Sequence, residues 1–163
     1  MELTALRHEA QSPALPALHR LIHACFAPLD ARIDPPSSVA ALTPALLAQE
    51  ATEGELWSLG DPPRAAMILR LEPDHLYVSK LAVSPDARRQ GLALRLLALA
   101  EHRAHHLGKT ALELQCRVEL TENHAVFRRA GFAETGRRAH PGFDRPTSVS
   151  FRKELDTGIR PTD

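Results

Sequence analysis

One short loop in the sequence combines side chains and backbone positions that could hold a phosphate group. It contains two adjacent arginines, Arg88 and Arg89, followed by Gln90 and Gly91. The helix predicted to begin there leaves its first backbone N–H groups unpaired and carries a partial positive charge at that end, and both features favour an anion. Gly91 allows close approach to the backbone, and Ala93 is small enough to leave room beside the first turn. The loop is therefore predicted to bind a pyrophosphate.

Two regular elements must position this loop. Residues 75–83 are predicted to form a strand that ends in Leu81-Ala82-Val83. Residues 91–107 are predicted to form a helix with one apolar stripe, which Gly108 ends. Because strand, glycine turn and helix follow one another directly, the N-terminus of the helix is expected at the end of the strand.

The spacing Arg88-x-x-Gly91-x-Ala93 after this strand resembles the acyl-CoA-binding motif of the GNAT superfamily of N-acyltransferases, (Gln/Arg)-x-x-Gly-x-(Gly/Ala). The elements that follow are predicted in the order expected after that motif: a strand at 111–116, a short helix at 123–130, a turn at Gly131-Phe132 and a last strand at 149–155. The resemblance covers most of the chain. It implies an α/β fold of the α+β kind, with a mixed, mostly antiparallel central sheet flanked by helices and a splayed strand pair that holds acyl-CoA.

The other elements are predicted to complete one domain over residues 1–155, followed by a flexible tail over 156–163. They are a strand at 3–7, a helix from Ser12 to about Pro28, a second helix at 43–50, and strands at 55–59 and 64–72 that form an antiparallel meander with 75–83. The proline-rich loop at 27–38 resembles the substrate-side segment of small bacterial family members.

The resemblance also implies the co-substrate and the reaction. Acetyl-CoA is expected to donate its acetyl group, without a metal, to an amine of a small molecule or peptide. The amine attacks directly in a ternary complex, so no nucleophilic side chain is required. The expected cofactor-binding residues are Leu81, Ala82, Val83, Arg88, Arg89, Gln90, Gly91, Leu92, Ala93, Asn123 and Phe127.

Three members of this set have more specific expected roles. A backbone N–H near Leu81 is expected to polarise the thioester carbonyl, while the backbone groups of Leu81 and Val83 pair with the pantetheine arm. Asn123 is expected either to bind the CoA arm or to cap its helix.

A general base and a general acid are harder to find. An amine with a pKa near ~10 must lose a proton before attack, and Tyr77 occupies the strand position where some family members carry a Glu base. Tyr77 is expected to hold a catalytic water or to be a buried structural residue. Glu113 and His124 are weaker candidates for the base and are expected at the surface. Phe127 stands where many members carry a Tyr that protonates the departing thiolate, and it has no proton to give.

These departures leave a second function open. A protein that kept the binding loop but lost its acid and base would bind or sense acyl-CoA without catalysis. A third alternative, an unrelated phosphate-binding α/β module, would make the order of elements a coincidence, and the Gly-Lys-Ser/Thr ending of a P-loop is absent.

Composition and charge exclude several classes of partner. The formal net charge is zero and the basic residues are scattered, so nucleic acid is not an expected partner. No apolar run approaches the ~20 residues that span a bilayer, so no membrane partner is expected. Cys25 and Cys116 form no C-x-x-C motif and the first residues lack the features of a signal peptide, which predicts a cytoplasmic, reduced protein.

Two further expectations concern metal and assembly. His102 and His106 are an i, i+4 pair with no acidic or cysteine ligand beside them, so no metal site is expected. A homodimer is expected from the family and from the short, apolar last strand, which could meet its counterpart or pack near Trp57.

Overall fold

Strands and helices alternate along the computed structural model, which describes residues 3–156. In chain order the elements are β1 (Ala5–His8), α1 (Leu15–Phe26), α2 (Pro44–Glu53), β2 (Glu55–Leu59), β3 (Ala65–Leu71), β4 (His75–Val83), α3 (Leu92–His106), β5 (Ala111–Arg117), α4 (Thr121–Arg129), β6 (Ala133–Arg138) and β7 (Ser148–Glu154). Short 3-10 helices cover Ala27–Ala31, Ser38–Ala41 and Pro85–Ala87. Of the predicted tail, all residues after Asp156 lie outside the described residues.

The strands form one sheet in the order β1-β2-β3-β4-β5-β7-β6. Among the strands of residues 3–156, only β4 and β5 run parallel, with α3 as the crossover between them, and every other neighbouring pair is antiparallel. The predicted mixed, mostly antiparallel sheet flanked by helices is confirmed.

The parallel pair separates soon after it forms. β4 and β5 are in register at His75–Ala111, Leu76–Leu112 and Tyr77–Glu113, and no later pair follows. The cause is a bulge in β4. Ala66 of β3 lies opposite Ala82 and Ile68 opposite Ser79, so Lys80 and Leu81 share the place of one residue. Such a bulge bends a strand and strengthens its twist, which turns the end of β4 away from β5 and confirms the predicted splayed pair.

Two apolar layers hold the helices on the sheet. α1 and α2 bury one face, where Leu18, Ile22 and Leu47 pack against Ile68. α3 buries the opposite face, where its apolar stripe packs on β3, β4 and β5. The N-terminus of α3 is therefore fixed beside the end of β4.

A buried ion pair adds a second attachment for α3. Arg103 donates two hydrogen bonds to the Glu55 carboxylate, at 2.8 and 2.6 Å, and Trp57 Nε1 donates to the same group at 2.8 Å. The Arg103 guanidinium lies 5.6 Å from the centre of the Trp57 ring. Trp57 is thus partly buried against the core and against α3.

Strand β6 is an element that the sequence pattern does not predict. All six of its residues, Ala-Glu-Thr-Gly-Arg-Arg, are exposed, so they show no alternation of apolar and polar side chains. The strand forms because β7 offers it an unpaired edge. As a result β7 lies between β5 and β6, and the predicted meeting of two last strands in a dimer is wrong because β7 has no free edge.

The boundaries of the other elements differ from the predicted ones by at most three residues; α4, for example, begins at Thr121, two residues before its predicted start. No helix within residues 3–156 is long and apolar enough to cross a membrane. Within the same residues, no three His, Cys, Asp or Glu side chains are grouped so that they could hold a metal ion.

Candidate active site

The gap between β4 and β5 opens into a cleft of about 320 Å³. Its walls come from the diverging strand segments 77–81 and 114–117, from α4, from the loop at 27–38 and from His140 and Ser148. The structure thus brings Tyr77, Leu81, Asn123 and Phe127 together in one cleft. The proline-rich loop also lies over this cleft, as the sequence indicated.

The predicted phosphate loop lies where β4 ends and α3 begins. Gly91 precedes α3 with φ +74°, and Arg95 N–H donates to its carbonyl at 3.0 Å as the first bond of the helix. Within the described chain, no side chain caps this end. A Cβ built on Gly91 would meet no atom within 4 Å, so there is open space above the helix N-terminus. Arg88 and Arg89 are exposed beside it.

This arrangement fits an acyl-CoA pyrophosphate. The backbone N–H groups of Leu92 and Ala93 lie in the first turn, where a helix has no acceptors of its own to offer them. Both the helix dipole and the adjacent guanidinium groups favour an anion there.

The free edge of β4 leads from this loop into the cleft. Ser84 N–H bonds to the Arg64 carbonyl of the β3 side at 2.8 Å. Because backbone polar groups alternate in direction along a strand, those of Leu81 and Val83 point away from β3 into the gap. Ala82 instead directs its backbone groups to β3 and buries its side chain in the core.

The Val83 carbonyl is already occupied. Cys25 Sγ donates to it at 3.1 Å and Arg88 Nε at 3.4 Å. Burial raises the pKa of the Cys25 thiol, so the thiol stays protonated and remains a donor. The backbone groups of Leu81 and the N–H of Val83 are the edge positions left for an extended ligand.

Tyr77 lies at the last paired position of β4, where the cleft begins. Burial raises the pKa of its phenol above the usual range, although Arg70 and the Gln115 backbone act in the opposite direction. The hydroxyl is therefore protonated at neutral pH, and it can donate to a water but cannot itself serve as a base.

The α4 wall carries Asn123 and Phe127. Asn123 is the third residue of α4, not its cap, so the capping alternative is wrong; the cap position is Leu120. Its side chain hydrogen-bonds the Cys116 thiol, whose pKa burial raises to about 11. Phe127 is 7% exposed, with its ring centre 5.6 Å from that of Phe151.

Glu113 and His124, the weaker candidates for the base, both lie outside the cleft walls. The prediction that His124 lies at the surface is wrong: it is 4% exposed, and its Nε2 bonds to the Arg117 carbonyl at 2.8 Å. Glu113 is held by His75 at 2.8 Å and by Arg152 at 2.9 Å. Each side chain is thus fixed by partners of its own.

His140 is a cleft residue that sequence reasoning missed. Its backbone N–H donates to Thr147 Oγ1 at 2.9 Å, and its Nδ1 makes a short hydrogen bond with the same oxygen. Thr147 is fully buried and donates its own proton to the Arg138 carbonyl at 3.3 Å. Nδ1 must therefore carry the proton on the ring, which leaves Nε2 with a lone pair.

Burial lowers the pKa of His140, and the nearby Arg117 lowers it further. The imidazole is accordingly neutral at physiological pH. In the sequence, this arrangement could be inferred only from the position of His140 and Thr147 in a hairpin loop between two strands. That inference requires a prediction of β6, which the sequence pattern does not give.

Comparisons with known proteins agree with this geometry. Residues 40–132 match the model of the acetyltransferase (GNAT) family. Among solved structures, the chain is similar to the ribosomal-protein-S18-alanine N-acetyltransferase from Escherichia coli, with 20% identity, a TM-score of 0.72, and coverage of 97% of this chain and 98% of that one.

Two further solved structures were determined with a ligand. A GNAT family acetyltransferase from Elizabethkingia anophelis with acetyl-CoA bound shows 18% identity and a TM-score of 0.69, covering 94% of this chain and 99% of that one. An acetyltransferase from Bacillus subtilis in complex with CoA shows 16% identity and a TM-score of 0.68, with the same coverage of 94% and 99%. The comparison with curated proteins gives no match.

Proposed function

The chain belongs to the GNAT acetyltransferase family, and from this premise we propose that it transfers an acetyl group from acetyl-CoA to a primary amine of a small-molecule or peptide acceptor. The observation that carries the proposal is the cleft between β4 and β5, whose free strand edge leads directly to the uncapped N-terminus of α3. Those two features supply the positions that a thioester and a pyrophosphate on one ligand require.

The binding residues divide according to the parts of acetyl-CoA. The N–H groups of Leu92 and Ala93 hold the pyrophosphate, with Gly91 keeping the approach open and Gln90 completing the turn. Arg88 and Arg89 add positive charge at the exposed edge. The edge groups of Leu81 and Val83 hold the extended arm, and Asn123 and Phe127 form its other wall.

The chemistry requires polarisation of the carbonyl and removal of a proton. Acetyl-CoA supplies an acetyl group on a thiol leaving group. The N–H of Leu81, which has no partner on β5, donates to the carbonyl oxygen as negative charge develops there. The neutral acceptor amine forms a bond from its nitrogen to the carbonyl carbon and gives up one proton. The carbon–sulfur bond breaks, and CoA leaves as a thiolate that takes its proton from water.

We propose His140 as the group that takes this proton. Its Nε2 holds a lone pair because Thr147 fixes the proton on Nδ1, and a lowered pKa keeps the ring neutral. Tyr77 contributes a donor that can orient a water between the amine and the base. His140 thus fills the role for which the sequence offered no clear residue.

The side chain at position 127 tests how the thiolate leaves. Because phenylalanine has no proton to give, thiolate departure depends on water, and Phe127→Tyr would add a phenol on the cleft wall. We expect a several-fold rise in kcat where departure limits the rate, with acetyl-CoA affinity unchanged. Steady-state kinetics of CoA release measure both.

Phe127→Leu is the matched control, since it removes the ring without adding an oxygen. It should weaken packing against Phe151 and give no gain in kcat. If Phe127→Tyr instead loses cofactor binding and much of its thermal stability, position 127 has no room for a hydroxyl and the sulfur lies elsewhere.

A non-catalytic acyl-CoA-binding protein is the second candidate, and Phe127 in place of a side-chain acid is the observation that favours it. A panel of amino acids, polyamines, aminoglycosides and peptides separates the two functions. CoA release and an acetylated product with at least one amine support the enzyme. Acetyl-CoA binding without any product across the panel supports the binding protein.

We also propose a cytoplasmic location, because Cys25 and Cys116 are free thiols and free thiols suit a reducing compartment.

The proposed homodimer now rests on the resemblance to the family, since β7 is enclosed in the sheet. We expect sedimentation to report a mass near twice 17.9 kDa. A mass of one chain that stays constant at tens of micromolar protein would contradict the dimer.

A further inference from the structure

The acceptor side of the cleft, which we define by Ser38, Lys80, Arg117 and His140, carries positive charge and has no carboxylate among its described lining residues. Two of its wall residues are cationic, Lys80 and Arg117, and none of the described residues that line it is Asp or Glu. His140 is the remaining titratable base there, and it is neutral. Burial lowers the pKa of Arg117, but three carboxylates outside the cleft wall act in the opposite direction, those of Glu119, Asp30 and Asp34. Lys80 is therefore the cleft cation at which a ligand carboxylate would find no competing partner among the described residues.

Lys80 stands at the bulge of β4. Its φ of +52° is unusual for a residue with a side chain, and it belongs to the segment that bends β4 away from β5. Its Nζ donates to Ser38 Oγ at 2.8 Å, across the cleft mouth. No described carboxylate forms an ion pair with this ammonium. Glu50 is close enough to raise the pKa of Lys80 electrostatically, but its carboxylate is paired with Arg70 at 2.9 Å.

The hydrogen-bonding capacity of this pair is only partly used. An ammonium has three donors, and one of those on Lys80 is spent on Ser38. Ser38 Oγ accepts that bond, which leaves its own O–H to donate. Lys80 and Ser38 can therefore both donate to one anionic group between them.

Arg117 contributes charge but few donors. Its guanidinium donates to the Pro35 carbonyl at 2.6 Å and to the Pro36 carbonyl at 3.0 Å, and so it holds the proline-rich loop over the cleft. Burial lowers the pKa of Lys80, and Arg70 and Arg117 lower it further. An anion bound at Lys80 would relieve this repulsion.

We propose that Lys80 and Ser38 form a subsite for a carboxylate on the acceptor, so that the protein acetylates amines that carry an acidic group, such as free amino acids. This inference rests on the proposed acetyl transfer and names its substrate class. The anionic parts of acetyl-CoA are expected at the far end of β4, beyond Val83, so the co-substrate leaves this subsite free. Polyamines and aminoglycosides, which carry only positive charge, are disfavoured.

The decisive experiment compares glycine with glycinamide as acceptors. The amide has the less basic amine, so a larger fraction of it is unprotonated at neutral pH, and intrinsic reactivity favours the amide. We expect the wild type to prefer glycine by at least about tenfold in kcat/KM, the effect of one charge-assisted interaction. Lys80→Met should abolish the preference by raising the KM for glycine, while the KM for acetyl-CoA stays unchanged.

Three variants keep the test independent of folding. Lys80→Arg preserves the charge and should preserve the preference, and Ser38→Ala should reduce it. Lys109→Met removes a half-buried lysine that donates to the Pro73 carbonyl and does not line the cleft, and it should leave the preference intact. Equal use of glycine and glycinamide by the wild type, or a preference that survives Lys80→Met, would overturn the subsite.

A binding measurement separates failure of the subsite from failure of the proposed function. N-Acetylglycine and N-acetylglycinamide are titrated calorimetrically into the protein with CoA present. Tighter binding of the acid that disappears in Lys80→Met supports the subsite even if no amine is turned over. Equal binding of the two probes refutes the subsite even if transfer to other amines is efficient.

Discussion

Replacement of Gly91 by valine will weaken acetyl-CoA binding by more than about tenfold. Two effects act together. The φ of +74° is unfavourable for any residue with a Cβ, and most of all for a branched one. The added methyl groups would also occupy the open space beside the helix N-terminus, where the pyrophosphate is proposed to lie. Isothermal titration calorimetry with acetyl-CoA measures the loss.

Gly108→Val is a closely matched control for this variant. Gly108 follows the other end of the same helix, has φ +72°, and likewise has no atom within 4 Å of a built Cβ. The backbone strain is therefore similar, but the site is a full helix length away from the loop. Gly108→Val should lose a comparable amount of stability and keep its affinity for acetyl-CoA. If the two variants bind acetyl-CoA equally well, Gly91 is not part of the binding site.

Replacement of His140 by glutamine will lower kcat by about 10²–10⁴, the usual contribution of a positioned general base. Acetyl-CoA affinity should be unchanged, because His140 stands on the acceptor side of the cleft. His105→Gln, an exposed histidine of α3, is the control and should retain the wild-type rate. A His140→Gln enzyme with nearly full kcat would show that another group, or water alone, takes the proton.

The pH dependence of the same pair of enzymes gives an independent check. A base must be unprotonated to act, and burial together with Arg117 lowers the pKa of His140 from its ordinary value of 6.5. Activity should therefore fall only as the pH drops below that value, and this acidic limb should vanish in His140→Gln. If the rate of both proteins falls at acidic pH with the same apparent pKa, the titrating group is not His140.

The sequence predicted those parts of the site that are determined by residues close together in the chain. Strands β2 and β4 have the predicted bounds, because turn residues such as Gly60 and Pro73 delimit them. The loop at Arg88 to Ala93 was predictable because a glycine placed directly between a strand and a helix marks the turn at which the helix begins. The splay of β4 from β5 came from the resemblance, and the bulge at Lys80 and Leu81 is its physical cause.

The parts that the sequence did not reveal depend on contacts between distant residues. β6 carries no apolar alternation, and pairing with β7 alone makes it a strand. His140 becomes a candidate base only because Thr147, across that hairpin, fixes its tautomer. Lys80 becomes a cation without a counter-ion only because the nearby Glu50 is taken by Arg70.

A structure of the protein with acetyl-CoA bound tests the central claim most directly. The proposal predicts the pyrophosphate on the N–H groups of Leu92 and Ala93, and the thioester carbonyl within hydrogen-bonding distance of Leu81 N–H. It also predicts the sulfur beside Phe127, with His140 across the cleft. Acetyl-CoA bound away from the gap between β4 and β5, or with its thioester out of reach of Leu81, would contradict the assignment of this cleft as an acetyl-transfer site.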